Sequence, residues 1–324
     1  MKRIAVTGSS GLIGTAVVAA LTQRGDEVVR FVRRPARGRD EVQWDPTSRT
    51  LDPRALDGVD GVVHLAGAGV GDKRWSPAYK REILSSRTDT THALATAIAQ
   101  VQHPVRFVSG SAVGYYGNRG DEPLTESSAP GEGFLTDVVL AWEASAAPAV
   151  DAGASVALAR TGIVLARQGG AMERLLQLAR FGLAGPLGSG KQYWPWITLD
   201  DEVGALLHLL DRDDLTGPVN LSAPEPARQR DIVAAIGRAL NRPAVLPAPS
   251  PALRIVLGEF ATEILGSQRI VGEVLATSGY DFIHPDLEGA ARWLVAWVNC
   301  SFNYFMADPW LATPAGIAGL CVAP

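Results

Sequence analysis

Cysteine is scarce: Cys300 and Cys321, both near the C-terminus, are the only two in 324 residues. They cannot build a disulfide framework or a cysteine-rich zinc site, and a reducing compartment suits such a chain best. Histidine is also sparse. His64, His92, His103, His208 and His284 have no partner at i+4 and no Cys neighbour, so no metal site is expected. A basic surplus is missing too. Thirty Lys+Arg against 34 Asp+Glu leave a net charge of -4, without the electrostatic footprint that a nucleic-acid backbone requires. No stretch reaches the roughly 18 uninterrupted apolar residues of a membrane span, and the apolar run after Trp293 is broken by Asn299, Asn303 and Asp308. The opening residues, Met1 to Gly8, are too short an apolar run for a signal-peptide core, which reads as a cytoplasmic start.

The chain does have the composition of a folded domain. With 47% hydrophobic and 20% charged residues it lies near globular averages, and 34 Gly plus 21 Pro stay below the disordered range. Its length allows one large domain or two unequal lobes. Strand-like runs at 4–6, 28–32, 61–65, 105–109, 155–165 and 195–199 alternate with helical patterns at 12–23, 78–100, 136–150, 171–181 and 201–210. That alternation marks parallel βαβ units and predicts six or seven parallel strands. In the first helix Leu12, Ile13, Ala16, Val17, Ala20 and Leu21 recur at three- and four-residue steps, and Gly25 stops it. Glycines between Gly169 and Gly190 mark an irregular connection of the kind that lines pockets. From Pro224 onward Pro226, Pro243, Pro247, Pro249 and Pro251 punctuate short helices, which predicts a smaller C-terminal lobe.

The first strand runs into Thr7-Gly8-Ser9-Ser10-Gly11-Leu12-Ile13-Gly14, and this loop opens the first helix. Glycines at this spacing, between a strand and a helix, fit a dinucleotide-binding turn. Gly8 permits the tight turn, Gly11 lets backbone N–H groups approach a pyrophosphate, and Gly14 lets helix and strand pack closely. The helix N-terminus then attracts the negative charge. About twenty residues on, where an NAD site places an acidic residue against the ribose 2′-hydroxyl, the sequence reads Phe31-Val32-Arg33-Arg34. A guanidinium there suits a 2′-phosphate, so NADP(H) is favoured over NAD.

These motifs resemble the extended branch of the short-chain dehydrogenase/reductase superfamily, the NAD(P)-dependent epimerases and dehydratases. The similarity is closest to the atypical "epimerase family" subgroup of the YfcH and SDR39U1 type, whose C-terminal lobe is DUF1731-like. It is carried by the 7–14 loop, His64-Leu65-Ala66-Gly67, Arg74-Trp75, Ser85-Ser86-Arg87 and Ser109-Gly110-Ser111-Ala112-Val113-Gly114-Tyr115-Tyr116-Gly117. Trp142-Glu143-Ala144, Arg160-Thr161-Gly162-Ile163-Val164-Leu165, Gly188-Ser189-Gly190-Lys191-Gln192, Trp196-Ile197-Thr198-Leu199-Asp200-Asp201 and Gly258-Glu259 continue it, in order, to about residue 294. The resemblance implies a Rossmann-like parallel sheet flanked by helices over 1–223, with 166–195 contributing to the substrate side, and a C-terminal substrate lobe over 224–294. It implies that Gly8, Ser10, Gly11, Leu12, Ile13 and Gly14 hold the pyrophosphate and that Val32, Arg33 and Arg34 meet the ribose phosphate. Leu65, Ala66 and Gly67 would pack on the adenosine side, Glu82 and Arg87 would face the cofactor, and Val164 would lie near the nicotinamide. For the apolar positions, core packing accounts for the same residues.

The catalytic pair usual in that superfamily is missing. A Tyr followed four residues later by Lys places phenol and ammonium on one helical face, which tunes the phenol for proton exchange. This chain has four lysines, Lys2, Lys73, Lys80 and Lys191; the residues four places before the last three are Gly69, Ser76 and Leu187. Counting from Glu143, the pair's positions fall on the apolar Leu135 and Val139. Ser111 remains at the end of the fifth strand, where the superfamily's serine bonds a substrate oxygen. Tyr115 and Tyr116 follow at the expected pocket mouth, either as replacement phenols or as a packed strand cap. Gln192, Tyr193, Trp194 and Trp196 suit a flat ligand or a seam between lobes.

Two functions follow as expectations. One is an NADP(H)-dependent oxidoreductase or epimerase-like enzyme of a small molecule, of carbonyl or nucleotide-sugar type, with Ser111, Tyr115 and Tyr116 as its catalytic candidates. The other is a catalytically silent NADP(H)-binding redox sensor. The tail 295–324, with Trp297, Phe302, Tyr304, Phe305 and Trp310, must be buried on its own lobe or in a homodimer.

Overall fold

The computed structural model describes residues 1–170 and 172–296. Seven strands, all parallel to their neighbours, form its central sheet: β1 (Arg3–Thr7), β2 (Glu27–Val32), β3 (Glu41–Gln43), β4 (Gly61–His64), β5 (Arg106–Ala112), β6 (Val156–Thr161) and β7 (Gly217–Leu221). Their order across the sheet is β7-β6-β5-β4-β1-β2-β3. The winding direction reverses between β1 and β4, where Thr7 lies in register with His64. In an open parallel sheet the crevice beyond such a reversal is the ligand site.

Both faces of the sheet are covered, which explains why its strands read as near-continuous apolar runs. Ile4 and Val6 point to one face, with Val63 and Val108, and meet α1 (Leu12–Gln23). Ala5 points to the other, with Val62 and Phe107, and meets α2 (Pro77–Ile98). This is the period-two alternation of a strand. Ser76 caps α2 by accepting from the Tyr79 N–H at 3.1 Å, and Pro77 follows at the first helical position, where no N–H is needed. Next come α3 (Phe134–Ala144), α4 (Glu173–Arg180), α5 (Leu199–Asp211) and α6 (Gln229–Leu240). Helix α5 joins α1 on its face of the sheet through Leu206, Leu209 and Leu210. A separate core gathers Met172, Leu175 and Leu176 with Trp194, Trp196, Ile232, Ile236 and Leu294. The connection before α5 therefore packs with the C-terminal helices. The chain then returns to the sheet, where Leu275 is buried beside Val219, while Arg269–Ile270 pairs with Pro123–Leu124 in a separate two-stranded ribbon.

Several elements differ from the sequence expectation. The helix expected over 136–150 is two, Phe134–Ala144 and Ala147–Asp151, because Pro148 has no N–H to donate and its ring crowds the carbonyl a turn earlier. The strand expected over 155–165 breaks at Gly162, where a Cβ would stand 2.4 Å from the Pro195 carbonyl oxygen. Its second half, Ile163–Leu165, leaves the sheet and pairs with Trp196–Thr198, so the strand expected near 195–199 belongs to a two-stranded ribbon. Strands β3 and β7 were not expected. The first is three residues long, and the second begins Gly-Pro, which a sheet tolerates only at its edge.

Thr198 caps α5 by accepting from the Asp201 N–H at 3.2 Å, and Asp200, Asp201 and Glu202 fill its first turn. The Glu202 carboxyl is fully buried, accepts from Thr161 Oγ1 at 2.7 Å and has its pKa pushed up to about 8 by that burial. A native pKa above the unfolded value of 4.5 means that the native state holds this proton more tightly. The stability gained is complete below pH 4.5 and is lost as pH rises through about 8. We expect the unfolding midpoint to fall over that window and Glu202→Gln to flatten the slope; identical slopes in both proteins would contradict this.

Candidate functional site

At the carboxyl end of β1 the backbone comes too close to its neighbours for side chains. Gly8 has φ 65°, and a Cβ on it would meet the Leu65 carbonyl oxygen at 2.6 Å. On Gly14 a Cβ would stand 2.2 Å from the Gly8 oxygen. Helix α1 starts at once, with Gly11 as N-cap, no side-chain cap and no acidic residue in its first turn. Its open amides and positive dipole end face the crevice, while Ser10 and Gly11 are exposed and Leu12 and Ile13 half-buried. An anionic group such as a diphosphate suits this uncapped helix start, which has no acidic residue in its first turn.

Thr7 ties the two sides of the crevice together. Its hydroxyl accepts from the Leu65 and Ala66 N–H groups at 3.2 and 3.3 Å and lies 2.6 Å from His64 Nδ1. With both lone pairs taken, the Thr7 proton goes to Nδ1, which assigns the Nε2–H tautomer to His64. Nε2 meets Thr91 Oγ1 at 3.0 Å, and Thr91 also accepts from the Trp142 indole N–H at 2.9 Å. Burial, with help from Arg87, drives the His64 pKa down to about 3, so the ring is neutral. Arg87 fastens the far side of the same loop. Its Nη1 donates to the carbonyls of Ala68 and Ile83 at 2.9 and 3.0 Å, and its guanidinium carbon would be 3.3 Å from a Cβ on Gly67. Burial lowers its pKa to about 10.

The two arginines after β2 differ in their surroundings. Arg34 makes a bidentate pair with Glu41, both contacts 2.6 Å, which holds that carboxyl at about 2. Arg33 is exposed and, among the described residues, has no ion pair or hydrogen bond. Val32 is half-buried beside it. Glu82 lies on the exposed face of α2, 3.6 Å from Lys73. Asp45 is absorbed by its own turn, accepting from the Thr47 N–H and hydroxyl at 2.9 and 2.7 Å. Val164 is half-buried against the core that contains Ile197.

Beyond β5 the structure gathers Ser111, Tyr115 and Tyr116 around two residues with no assigned role in the sequence reading. Ser111 donates to Glu143 Oε1 at 2.6 Å. Arg160, buried in β6, forks onto the same carboxylate from Nε and Nη2, each at 2.8 Å. Its Nη1 donates to the Tyr116 hydroxyl at 3.0 Å, and that hydroxyl donates to Asn220 Oδ1 at 2.8 Å. Tyr116 is therefore not at the pocket mouth: its ring has no exposed surface, and both of its hydrogen bonds are internal. Tyr115 is half-buried, its ring 3.5 Å from the Arg160 guanidinium carbon. Val139 is buried, and Leu135 packs 3.3 Å from where a Gly114 Cβ would be, so apolar packing replaces the usual pair. Arg160, from a strand three elements later, is the only cation at this cluster among the described residues, which no local spacing could disclose.

Gln192, Trp194 and Trp196 are buried and held by hydrogen bonds to main-chain carbonyls. Gln192 Nε2 bonds the Leu187 carbonyl at 3.0 Å, and the two indoles donate to the carbonyls of Ile264 and Glu225, each at 3.1 Å. Among the described residues no group of three or more His, Cys, Asp or Glu is placed to hold a metal, and no helix is long and apolar enough to cross a membrane. Residues 297–324, on which the tail and homodimer expectations rest, lie outside the described residues.

Comparison with known proteins agrees with this arrangement. Residues 4–221 match the NAD dependent epimerase/dehydratase family, and residues 248–294 match DUF1731, a domain of unknown function. The Mycobacterium tuberculosis epimerase family protein MT2273 is 43% identical over 282 residues, 87% of this chain and 93% of the relative. The human epimerase family protein SDR39U1 is 36% identical over 299 residues, 91% of this chain and 100% of the relative. A crystal structure of human SDR39U1 with NADPH superposes with a TM-score of 0.84 at 34% identity, covering 91% of this chain and 99% of that one. By its Rossmann-like sheet, its glycine cradle and these matches, the chain belongs to the NAD dependent epimerase/dehydratase family and carries a C-terminal DUF1731 segment.

Proposed function

We propose that the protein is an NADP(H)-dependent oxidoreductase or epimerase-like enzyme of a small molecule. The observation that carries the cofactor choice is the contrast after β2: Arg34 is held by Glu41, while Arg33 is left with an unpaired guanidinium at the ribose end of the cradle. Gly8, Ser10, Gly11, Leu12, Ile13 and Gly14 would hold the diphosphate, Val32 and Arg33 the phosphorylated ribose, and Leu65, Ala66, Gly67 and Arg87 the middle of the crevice, with Val164 toward the nicotinamide. When bound, the coenzyme supplies hydride transfer. The rest falls to side chains. Ser111 gives its proton to Glu143, which leaves its oxygen to accept from a substrate hydroxyl. Tyr115 is the phenol that would exchange a proton with substrate, because its neighbour Tyr116 is spent inside the fold. Arg160 orients Glu143 and lies against the Tyr115 ring, a positioning role that supplies positive charge where the lysine is missing.

A second reading has a specific observation behind it. With Leu135 and Val139 packed where the pair would stand and Tyr116 fully committed, a catalytically silent NADP(H)-binding redox sensor accounts for a cofactor cradle kept without the usual acid/base pair.

Titration with NADPH and NADH tests the cofactor. Arg33→Ala should weaken NADPH binding about tenfold to a hundredfold and leave NADH nearly unchanged; equal losses for both would remove the charge argument. Chemistry is tested by following NADPH oxidation optically over a panel of carbonyl compounds and nucleotide sugars. Ser111→Ala and Tyr115→Phe should each lower turnover by about a hundredfold or more. Tyr116→Phe should spare turnover but lower stability by about 1–3 kcal/mol, because it strips partners from Arg160 and Asn220. Tight NADPH binding with no turnover on any compound selects the sensor.

A further inference from the structure

From Asn241 to Phe260 no residue of the chain is buried. The helices on either side of this run are anchored, since Ile232 and Ile236 of α6 share one apolar core with Leu294. Within the run, α7 (Ser250–Leu257) leaves Ile255 and Val256 exposed by 74% and 72%. A helix this short is marginal in water unless a buried apolar face supports it, and this one has no buried residue. Its position is therefore set by what holds the chain around it.

Both ends of the segment around α7 are fixed. Ahead of it, Ala248 donates its N–H to the Pro186 carbonyl at 2.9 Å and accepts from the Gly188 N–H at 2.8 Å. Behind it, the Ile264 carbonyl takes the Trp194 indole N–H at 3.1 Å, and the Ser267 hydroxyl donates to the Gly120 carbonyl at 2.6 Å. Between these ends, Arg74 and Lys80 tie the segment back to the first lobe. Arg74 Nη1 donates to the Ile255 carbonyl at 3.1 Å, Lys80 pairs with Glu259, and the Phe260 ring centroid lies 5.5 Å from that of Trp75. Gly258 makes room for the guanidinium: its φ is 63°, and a Cβ there would stand 2.9 Å from Arg74 Nε. Arg74-Trp75 and Gly258-Glu259, two motifs far apart in the sequence, thus meet as the halves of one latch. The latch is weak. Lys80 and Glu259 keep 28% and 51% of their side-chain surface in solvent, and pairs so exposed contribute little.

Glu259, Thr262 and Glu263 of this segment form one wall of a cleft of about 150 Å³, whose other wall includes Gly117 and Thr136. Gly117 directly follows Tyr116, and Thr136 donates to the Gly114 carbonyl at 3.0 Å, so the floor of the cleft is continuous with the turn carrying Tyr115. A segment with fixed ends, an unburied helix and a weak latch between them opens at lower cost than the packed sheet beside it. We propose that residues 249–263, the leading part of the DUF1731 match, form a lid on this cleft that swings on Ala248 and Ile264 and is fastened by Arg74 and Lys80. That the lid admits a substrate rests on the enzyme reading above; its opening does not.

Amide hydrogen exchange of the full chain, read by mass spectrometry without added ligand, tests the opening. Amides of 252–263 should exchange about a hundredfold or more faster than those of β4 and β5. Arg74→Ala and Lys80→Ala should each speed 252–263 by about threefold to tenfold and leave β4 and β5 unchanged. Salt near about 1 M should speed the wild type but not Lys80→Ala, whose ion pair is already gone. Protection of 252–263 equal to that of the two strands, or latch variants that exchange like the wild type, would overturn the proposal. Thr136→Cys reads the cleft itself, because Thr136 is buried in its wall. Alkylation of that thiol by iodoacetamide, located by peptide mass apart from Cys300 and Cys321, should quicken by about threefold to tenfold when Arg74→Ala is added. An equal rate would mean that the segment moves without uncovering the cleft, which also overturns it; should Thr136→Cys fail to fold, the exchange experiment decides. Turnover on the compound panel, measured on the same samples, separates the two readings. No turnover with latch-dependent opening intact sinks the enzyme reading alone, and turnover with latch variants that exchange like the wild type sinks the lid alone.

Discussion

The rest of the site depends on two close backbone approaches: Gly8 against Leu65 in the loop after β4, and Gly14 of α1 against Gly8, each too tight for a side chain. Because backbone meets backbone there, α1 starts directly at the sheet edge and its amides stay open. Thr7 fixes the separation, since a single hydroxyl serves the Leu65 and Ala66 amides and the His64 ring. That hydroxyl is saturated, and so is His64, which runs on through Thr91 to Trp142 of α3. A buried chain in which each member has its partners rigidifies its surroundings; a half-satisfied one would be worse than apolar packing. Its consequence is a crevice whose two walls cannot drift apart.

A second constraint is electrostatic. Arg160 and Glu143 form an ion pair almost wholly removed from water, with side-chain exposures of 3% and 12%. Such pairs add little net stability, yet deleting one partner typically costs about 3–5 kcal/mol because the other charge is stranded. The pair is best understood by what it arranges: it directs the Ser111 proton, fills one lone pair of Tyr116 and puts a positive charge against Tyr115. Asn220 takes the Tyr116 proton, and its backbone N–H is held by Glu126 at 3.1 Å. The polar centre is thus anchored to β5, β6, β7 and α3 at once.

Much of this was readable in advance. The first helix has the expected bounds, Leu12–Gln23, because its apolar stripe and its flanking glycines agree. The cradle was legible for the same reason: glycine spacing is a backbone property, and backbone constraints are written locally. Legibility failed where a residue's partner lies on a different element. Arg33 and Arg34 are adjacent and identical in type, yet only one is engaged, since Glu41 on β3 is within reach of Arg34. Tyr115 and Tyr116 are likewise neighbours, and the turn at 113–116 sends one inward to Asn220 and leaves the other half-exposed over Arg160.

By itself, then, the amino-acid sequence determined the parallel α/β architecture, the phosphate-type turn and the lack of a Tyr-x-x-x-Lys pair. Each follows from periodicity or from the spacing of residues within one or two helical turns. Only the tertiary structure decided which of two adjacent guanidiniums is paired, which of two adjacent tyrosines is buried and that Arg160 lies against the ring of the other. Those are outcomes of strand order, which brings together groups on different elements, from Arg34 and Glu41 seven residues apart to Tyr116 and Asn220 more than a hundred apart, and electrostatic and hydrogen-bond energies depend on distance through space rather than along the chain.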